Sequence, residues 1–108
     1  MKLYGLKNCD TCRRALKSLS ERGIEVAFVD LRAEGVSKSI LPRFYAAFGD
    51  ELLNRRSTTW RNLGVDGRSG DPLTLMAAHP ALMKRPLIDR AGQLHLGWGR
   101  EVRSALLA

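Results

Sequence analysis

The chain opens on a short apolar run, Leu3-Tyr4-Gly5, and changes its period soon after. Cys12, Ala15, Leu16 and Leu19 recur at i, i+3, i+4 and i+7, with Arg13, Arg14, Lys17, Ser18 and Glu21 opposite. That spacing wraps one apolar stripe along a helix, which Gly23 stops. Ile24 to Val29 is rich in β-formers at Val26, Phe28 and Val29 and predicts a second strand. Strand, helix, strand in succession needs a crossover, and a crossover makes the two strands parallel.

The middle of the chain is helical in pattern. Ser37 or Ser39 suits the cap of a helix running through Phe44 and Phe48 to Gly49, with Pro42 tolerated in its first turn. Glu51-Leu52-Leu53 predicts a turn into Asn54-Arg55-Arg56, and Thr58 or Thr59 begins a brief helix ending at Gly64. Val65 to Gly70 holds two glycines and is expected to be loop. Asp71-Pro72 reads as an N-cap and first helical position, opening a helix to about His79-Pro80. Pro86–Asp89 and Gln93–Leu96 then flank Arg90-Ala91-Gly92 as a hairpin, and Val102, Ala105 and Leu106 give a closing helix one apolar face. The order is β-α-β, a helical insert over roughly 37–80, then β-β-α. It predicts an α/β chain of thioredoxin-like fold with a mixed four-stranded sheet.

Composition narrows what such a fold is used for. With 108 residues the chain is expected to be one domain, since halves would be too small to bury a core. No apolar run approaches the roughly 20 residues that cross a bilayer, so no membrane is expected. Lys7, Asn8, Asp10 and Arg13 interrupt any signal-like apolar stretch, which points to the cytoplasm. Two cysteines do not make a disulfide framework. His79 and His95 stand singly without ligand spacing, so no metal is expected. Eighteen basic against eleven acidic residues leave a net charge of +7, which favours an oxyanion, glutathione, nucleic acid or an acidic protein face as partner. No nucleic-acid motif accompanies the charge, and no direct contact with nucleic acid is expected.

The chemistry concentrates in Lys7-Asn8-Cys9-Asp10-Thr11-Cys12-Arg13. A C-x-x-C pair directly after a strand and at the mouth of a helix reads as a redox motif. Unpaired N–H groups and the helix dipole favour an anion there, so Cys9 is the nucleophile, as a thiolate. Cys12 lies one turn along on the apolar face and suits the resolving thiol, attacking a mixed disulfide on Cys9. The same N–H groups form an anion site to which Asn8 and Thr11 can add hydrogen bonds, unless they simply cap the helix.

Three separated segments resemble the arsenate reductase (ArsC)/Spx family. They are Tyr4-Gly5-x-x-Asn8-Cys9-x-Thr11-Cys12-Arg13-x-Ala15, His79-Pro80-Ala81-Leu82-Met83-Lys84-Arg85-Pro86-Leu87-Ile88, and Gly97-Trp98 before the final helix. The resemblance implies that Cys9 is the catalytic thiol and that Arg85 binds the oxyanion or polarises the thiol adduct. It also implies a cis Pro86 set against the cysteine loop, in which Asn8, Asp10 and Thr11 are the candidate residues around the anion. Of three arginines in arsenate reductases only Arg85 aligns; Asn54 takes the first position with Arg55 beside it, and the third falls near Trp98, with Arg100 two residues on. The segment Leu53-Asn54-Arg55-x-x-Thr58-Thr59-Trp60-Arg61-x-Leu63 is similar to the YffB-like branch. That likeness implies a glutathione-dependent thiol reductase with no bound cofactor, glutathione as co-substrate and glutaredoxin as a candidate partner. The alternative is an Spx-like redox regulator that binds RNA polymerase.

Overall fold

The computed structural model describes residues 1–35 and 40–107. In chain order the elements are β1 (Lys2–Gly5), α1 (Asp10–Glu21), β2 (Ala27–Asp30), α2 (Leu31–Glu34) and α3 (Leu41–Phe48), then a 3₁₀ turn at Gly49–Leu52. After it come α4 (Thr58–Asn62), α5 (Gly64–Arg68), α6 (Pro72–Ala78), a second 3₁₀ turn at Pro80–Leu82, β3 (Leu87–Arg90), β4 (Gln93–Leu96) and α7 (Arg100–Leu107). The chain divides into two compact units: Met1–Asp30 with Arg85–Ala108, and Leu31–Lys84.

The first unit holds a mixed four-stranded sheet of order β2-β1-β3-β4, and its fold is thioredoxin-like α/β. β1 runs parallel to β2, pairing Leu3 with Phe28, and antiparallel to β3, pairing Leu3 with Ile88. On one face of the sheet Leu3 and Ile88 meet Cys12, Ala15 and Leu19 of α1 and Leu106 of α7 in one buried cluster. The stripe legible in the sequence is thus the stripe that packs. Arg90 donates to the Ala105 carbonyl at 3.1 Å and Arg22 to the Leu107 carbonyl, so two arginines satisfy carbonyls left open at the end of α7.

Local rules explain the breaks. α1 ends in a Schellman turn: Gly23 has φ +74°, its N–H reaches the Ser20 carbonyl at 2.9 Å, and Ile24 N–H reaches Leu19 at 3.0 Å. That turn occupies Ile24, so β2 begins at Ala27 rather than at Ile24 as the β-formers predict. The hairpin closes on Ala91 and Gly92, both at positive φ (51° and 92°), as a two-residue turn between right-twisted strands requires.

The second unit is helical. α3 packs against α6, and Phe44, Leu52, Met76, Leu82 and Met83 are fully buried. Leu53 bridges Met83, Asn54 N–H reaches the Leu82 carbonyl at 2.8 Å, and Lys84 N–H reaches Leu52 at 2.7 Å. Two expectations need correction. Val65 to Gly70 is not a loop, since α5 covers most of it; Arg68 ties it down through the carbonyls of Trp60 (3.1 Å) and Arg61 (3.2 Å). The helical stretch also begins before 37, because Leu31–Glu34 forms a turn of helix around the buried Leu31. The proposed caps Ser37 and Ser39 lie outside the described residues. Pro42 does sit in the first turn of α3, and Asp71 caps α6.

Candidate active site

Cys9 is the N-cap residue of α1, with extended backbone at φ −93° and ψ 115°. The loop that delivers it is fixed locally: Cys9 N–H donates to the Leu6 carbonyl at 3.1 Å, and Arg13 Nε donates to the Lys7 carbonyl at 2.9 Å. No side-chain hydrogen bond caps the helix, so neither Asn8, which is exposed, nor the half-buried Thr11 takes that role. Asp10 is the first helical residue and contacts Arg13 at 3.4 Å, an exposed pair that adds little stability.

The two sulfurs are free thiols in contrasting surroundings. Cys9 is half-buried and Cys12 is 1% exposed. Burial opposes ionisation of Cys9, but the Cys12 N–H, the Cys12 thiol and the Arg85 guanidinium outweigh it and hold the Cys9 thiol below its ordinary range. Cys12 goes the other way. Burial first, then the neighbouring Cys9 sulfur, push it up to about 12 against opposing help from the Leu6 backbone and the Arg85 charge.

Arg85 is therefore brought to the thiol that the sequence reading paired with it. The Arg85–Pro86 peptide is cis, and Pro86 is fully buried. Arg100 is exposed as the first residue of α7, in the same unit as the thiols. Arg55 belongs to the helical unit, where its guanidinium lies 5.6 Å from the Trp60 ring centroid. Among the described residues no group of three or more His, Cys, Asp or Glu side chains could hold a metal. No helix among them is long and apolar enough to cross a membrane.

One site residue escaped the sequence reading. A Cβ on Gly5 would stand 2.5 Å from the Cys12 sulfur and 3.3 Å from its Cβ. Gly5 is a strand residue without positive φ, so it answers to space and not to an unusual backbone. A glycine inside an otherwise apolar strand signals such a close approach and could have been read that way.

Comparison with known proteins places these features in a wider set. The model of the ArsC family matches residues 4–105. A solved protein named YFFB superposes with a TM-score of 0.90 at 33% identity, covering 99% of this chain and 98% of that one. An arsenate reductase (ArsC) related protein from Brucella melitensis is 38% identical with a TM-score of 0.73, over 98% of this chain and 92% of its own. The global transcriptional regulator Spx of Bacillus subtilis is 30% identical, over 92% of this chain and 80% of its own.

Proposed function

The chain belongs to the ArsC family, and from that premise we propose that it is a glutathione-linked thiol oxidoreductase with Cys9 as nucleophile and Cys12 as resolving thiol. The observation that carries this reading is the opposed state of the two sulfurs: Cys9 lowered and reachable, Cys12 buried and raised to about 12.

The cycle follows from that asymmetry. Cys9 thiolate attacks a disulfide sulfur; a Cys9–S bond forms, the substrate S–S bond breaks, and one thiolate leaves with the electron pair. Capping Cys9 removes its charge, which is one of the causes that hold Cys12 up. Cys12 then loses its proton and attacks Cys9 sulfur, expelling the second substrate thiolate. The substrate disulfide has been reduced to two thiols and the protein dithiol oxidised to a disulfide. Two external thiols, as glutathione or through glutaredoxin, restore the protein in the cytoplasm, where that pool is kept reduced.

Arg85 is the anion-binding and activating residue in this reading, since its guanidinium both hydrogen-bonds and faces the Cys9 sulfur. Asn8, Asp10, Thr11, Pro86 and Arg100 are the further candidates for holding the anion in this reading. Arsenate is a poor substrate here, because one arginine of the expected three aligns. The test is mass spectrometry with oxidised glutathione: Cys12→Ser should accumulate a glutathione adduct on Cys9, and the native protein an internal disulfide. Absence of an adduct on Cys9 overturns the assignment.

The similarity to Spx favours a second reading, a redox-sensing regulator that binds RNA polymerase. Polymerase binding measured for oxidised against reduced protein separates the two. Tight, oxidation-dependent binding without thiol-transfer turnover would replace the enzyme by the regulator.

A further inference from the structure

Resting on the thiol chemistry proposed above, we infer that the preferred substrate is an acidic polypeptide disulfide, whose carboxylates lie along a basic groove on α1, the helix that Cys9 begins. The groove has a volume of about 490 Å³ and is lined by Arg14, Lys17, Ser18 and Glu21 of α1 with Trp98 and Arg103. The four α1 residues fall at i, i+3, i+4 and i+7 and so form one stripe. Three cations face one carboxylate there. Among the described residues none of the three is ion-paired, with Glu21 or otherwise.

Uncompensated cations on a surface are ordinary when scattered. These three share one concavity with a half-buried indole, and that indole packs on the cluster against which Cys9 also packs. The stripe belongs to the helix that Cys9 begins. At about 1.5 Å and about 100° per residue, Arg14 stands about 7.5 Å along the axis and about 140° around it from Cys9, and Lys17 about 12 Å along and about 80° around. The path from the Cys9 sulfur part of the way round α1 to either cation is therefore roughly 14 Å, and an extended chain advancing about 3.3 Å per residue brings side chains roughly three to five residues from a reacting cysteine to them. A glutathione moiety is too short to engage Cys9 and Lys17 together. A polypeptide with Asp or Glu at those offsets is long enough and has the complementary charge. Thiol exchange itself is unchanged: the peptide S–S bond breaks, a Cys9–S bond forms, and the peptide's other sulfur leaves as thiolate.

The experiment compares three synthetic peptide disulfides that differ only at positions three to five from the cysteine, carrying Glu, Ser or Lys. Adduct formation on Cys9 is followed in the Cys12→Ser protein by quenched mass spectrometry. The acidic peptide should react about tenfold or more faster than the neutral one at low salt, and the preference should collapse as salt rises. Reversing the groove with Arg14→Glu, Lys17→Glu and Arg103→Glu together should abolish that preference at low salt, and should leave the glutathione disulfide reaction within about twofold when it is measured at salt high enough to screen the six-unit change in net charge. An acidic peptide no faster than the neutral one, or a preference that survives the reversal, overturns the inference.

Binding without chemistry separates this inference from the one it rests on. A non-reactive Cys→Ser acidic peptide should shift the ¹⁹F signal of 5-fluorotryptophan at Trp98 saturably, even if Cys9 reacts with no disulfide. No saturable shift, or preference for a single-stranded thymidine oligonucleotide over the acidic peptide, would overturn the groove as a peptide site.

Discussion

At the start of α6, Asp71 turns its carboxylate back on the helix and accepts from the Thr74 N–H at 3.1 Å and the Thr74 hydroxyl at 3.2 Å. Ser57 does the same for α4, accepting from Trp60 N–H at 3.1 Å. At the start of α1 the equivalent position is Cys9, and no side-chain hydrogen bond closes it. The first two caps spend the positive end of the helix on stability. The third leaves it for a thiolate, which the Cys12 N–H and Arg85 then favour. A helix mouth left open is a stability cost accepted at the reactive end, and a charged sulfur offsets part of it.

The comparison breaks most severely behind the open mouth, where Cys12 rests against Gly5. Gly5→Ala puts a methyl 2.5 Å from the Cys12 sulfur, and overpacking of that kind costs about 1–3 kcal/mol. Urea unfolding of Gly5→Ala, Cys12→Ala and the double variant measures it as a cycle. The double variant should regain most of the loss, because the clash is with the sulfur itself. In the single variant the displaced Cys12 should also resolve a glutathione adduct on Cys9 more slowly, while Cys9 alkylation stays close to native. Equal losses in the single and double variants would place the strain elsewhere.

Removing a closed cap should cost less. Asp71→Ala is expected to lower stability by about 1 kcal/mol, and hydrogen exchange at the Thr74 amide should speed up with it. Cys9→Ser tests the converse. Serine is a favoured cap, so it should raise stability by a few tenths to about 1 kcal/mol in urea while ending adduct formation. A Cys9→Ser protein less stable than native at neutral pH would mean that the thiolate already does the capping in full.

These contrasts were unevenly legible in the sequence. Asp71-Pro72 announced its cap, because the cap chemistry is local to four residues. The α1 stripe and the hairpin were equally plain, since each follows from period and turn residues within a short window. The extent of α5 was not, because its order comes from Arg68 reaching back seven and eight residues to two carbonyls. Nor was the fit of Gly5 to Cys12, which depends on how closely a strand and the following helix approach. Arg55 is the instructive case. The resemblance set it beside the first arginine's position, at Asn54, but no periodicity announced that its guanidinium lies 5.6 Å from the Trp60 ring centroid, which Arg68 also approaches at 5.5 Å.

A separate effect lies in how stability depends on pH, and there the two sulfurs should pull in opposite directions. The Cys9 pKa is lowered in the folded chain, so its contribution is complete above the unfolded thiol value and is lost as pH falls through the folded value. The Cys12 pKa is raised to about 12, so its contribution is complete below the unfolded value and is lost as pH rises towards about 12. Relative to Cys9→Ser, the reduced native protein should therefore lose stability on acidification; relative to Cys12→Ala it should lose stability above about pH 8.5. Urea midpoints taken under reductant across pH would show both limbs. Arg85→Ala removes a hydrogen bond and a charge from the Cys9 thiolate, so the thiolate absorbance should appear at higher pH. Arg85→Lys keeps the charge without the planar fork and should fall between the two. A Cys9 titration unmoved by Arg85→Ala would leave the open helix mouth and the Cys12 N–H as the agents that lower it, and would remove Arg85 from the activation of the thiol.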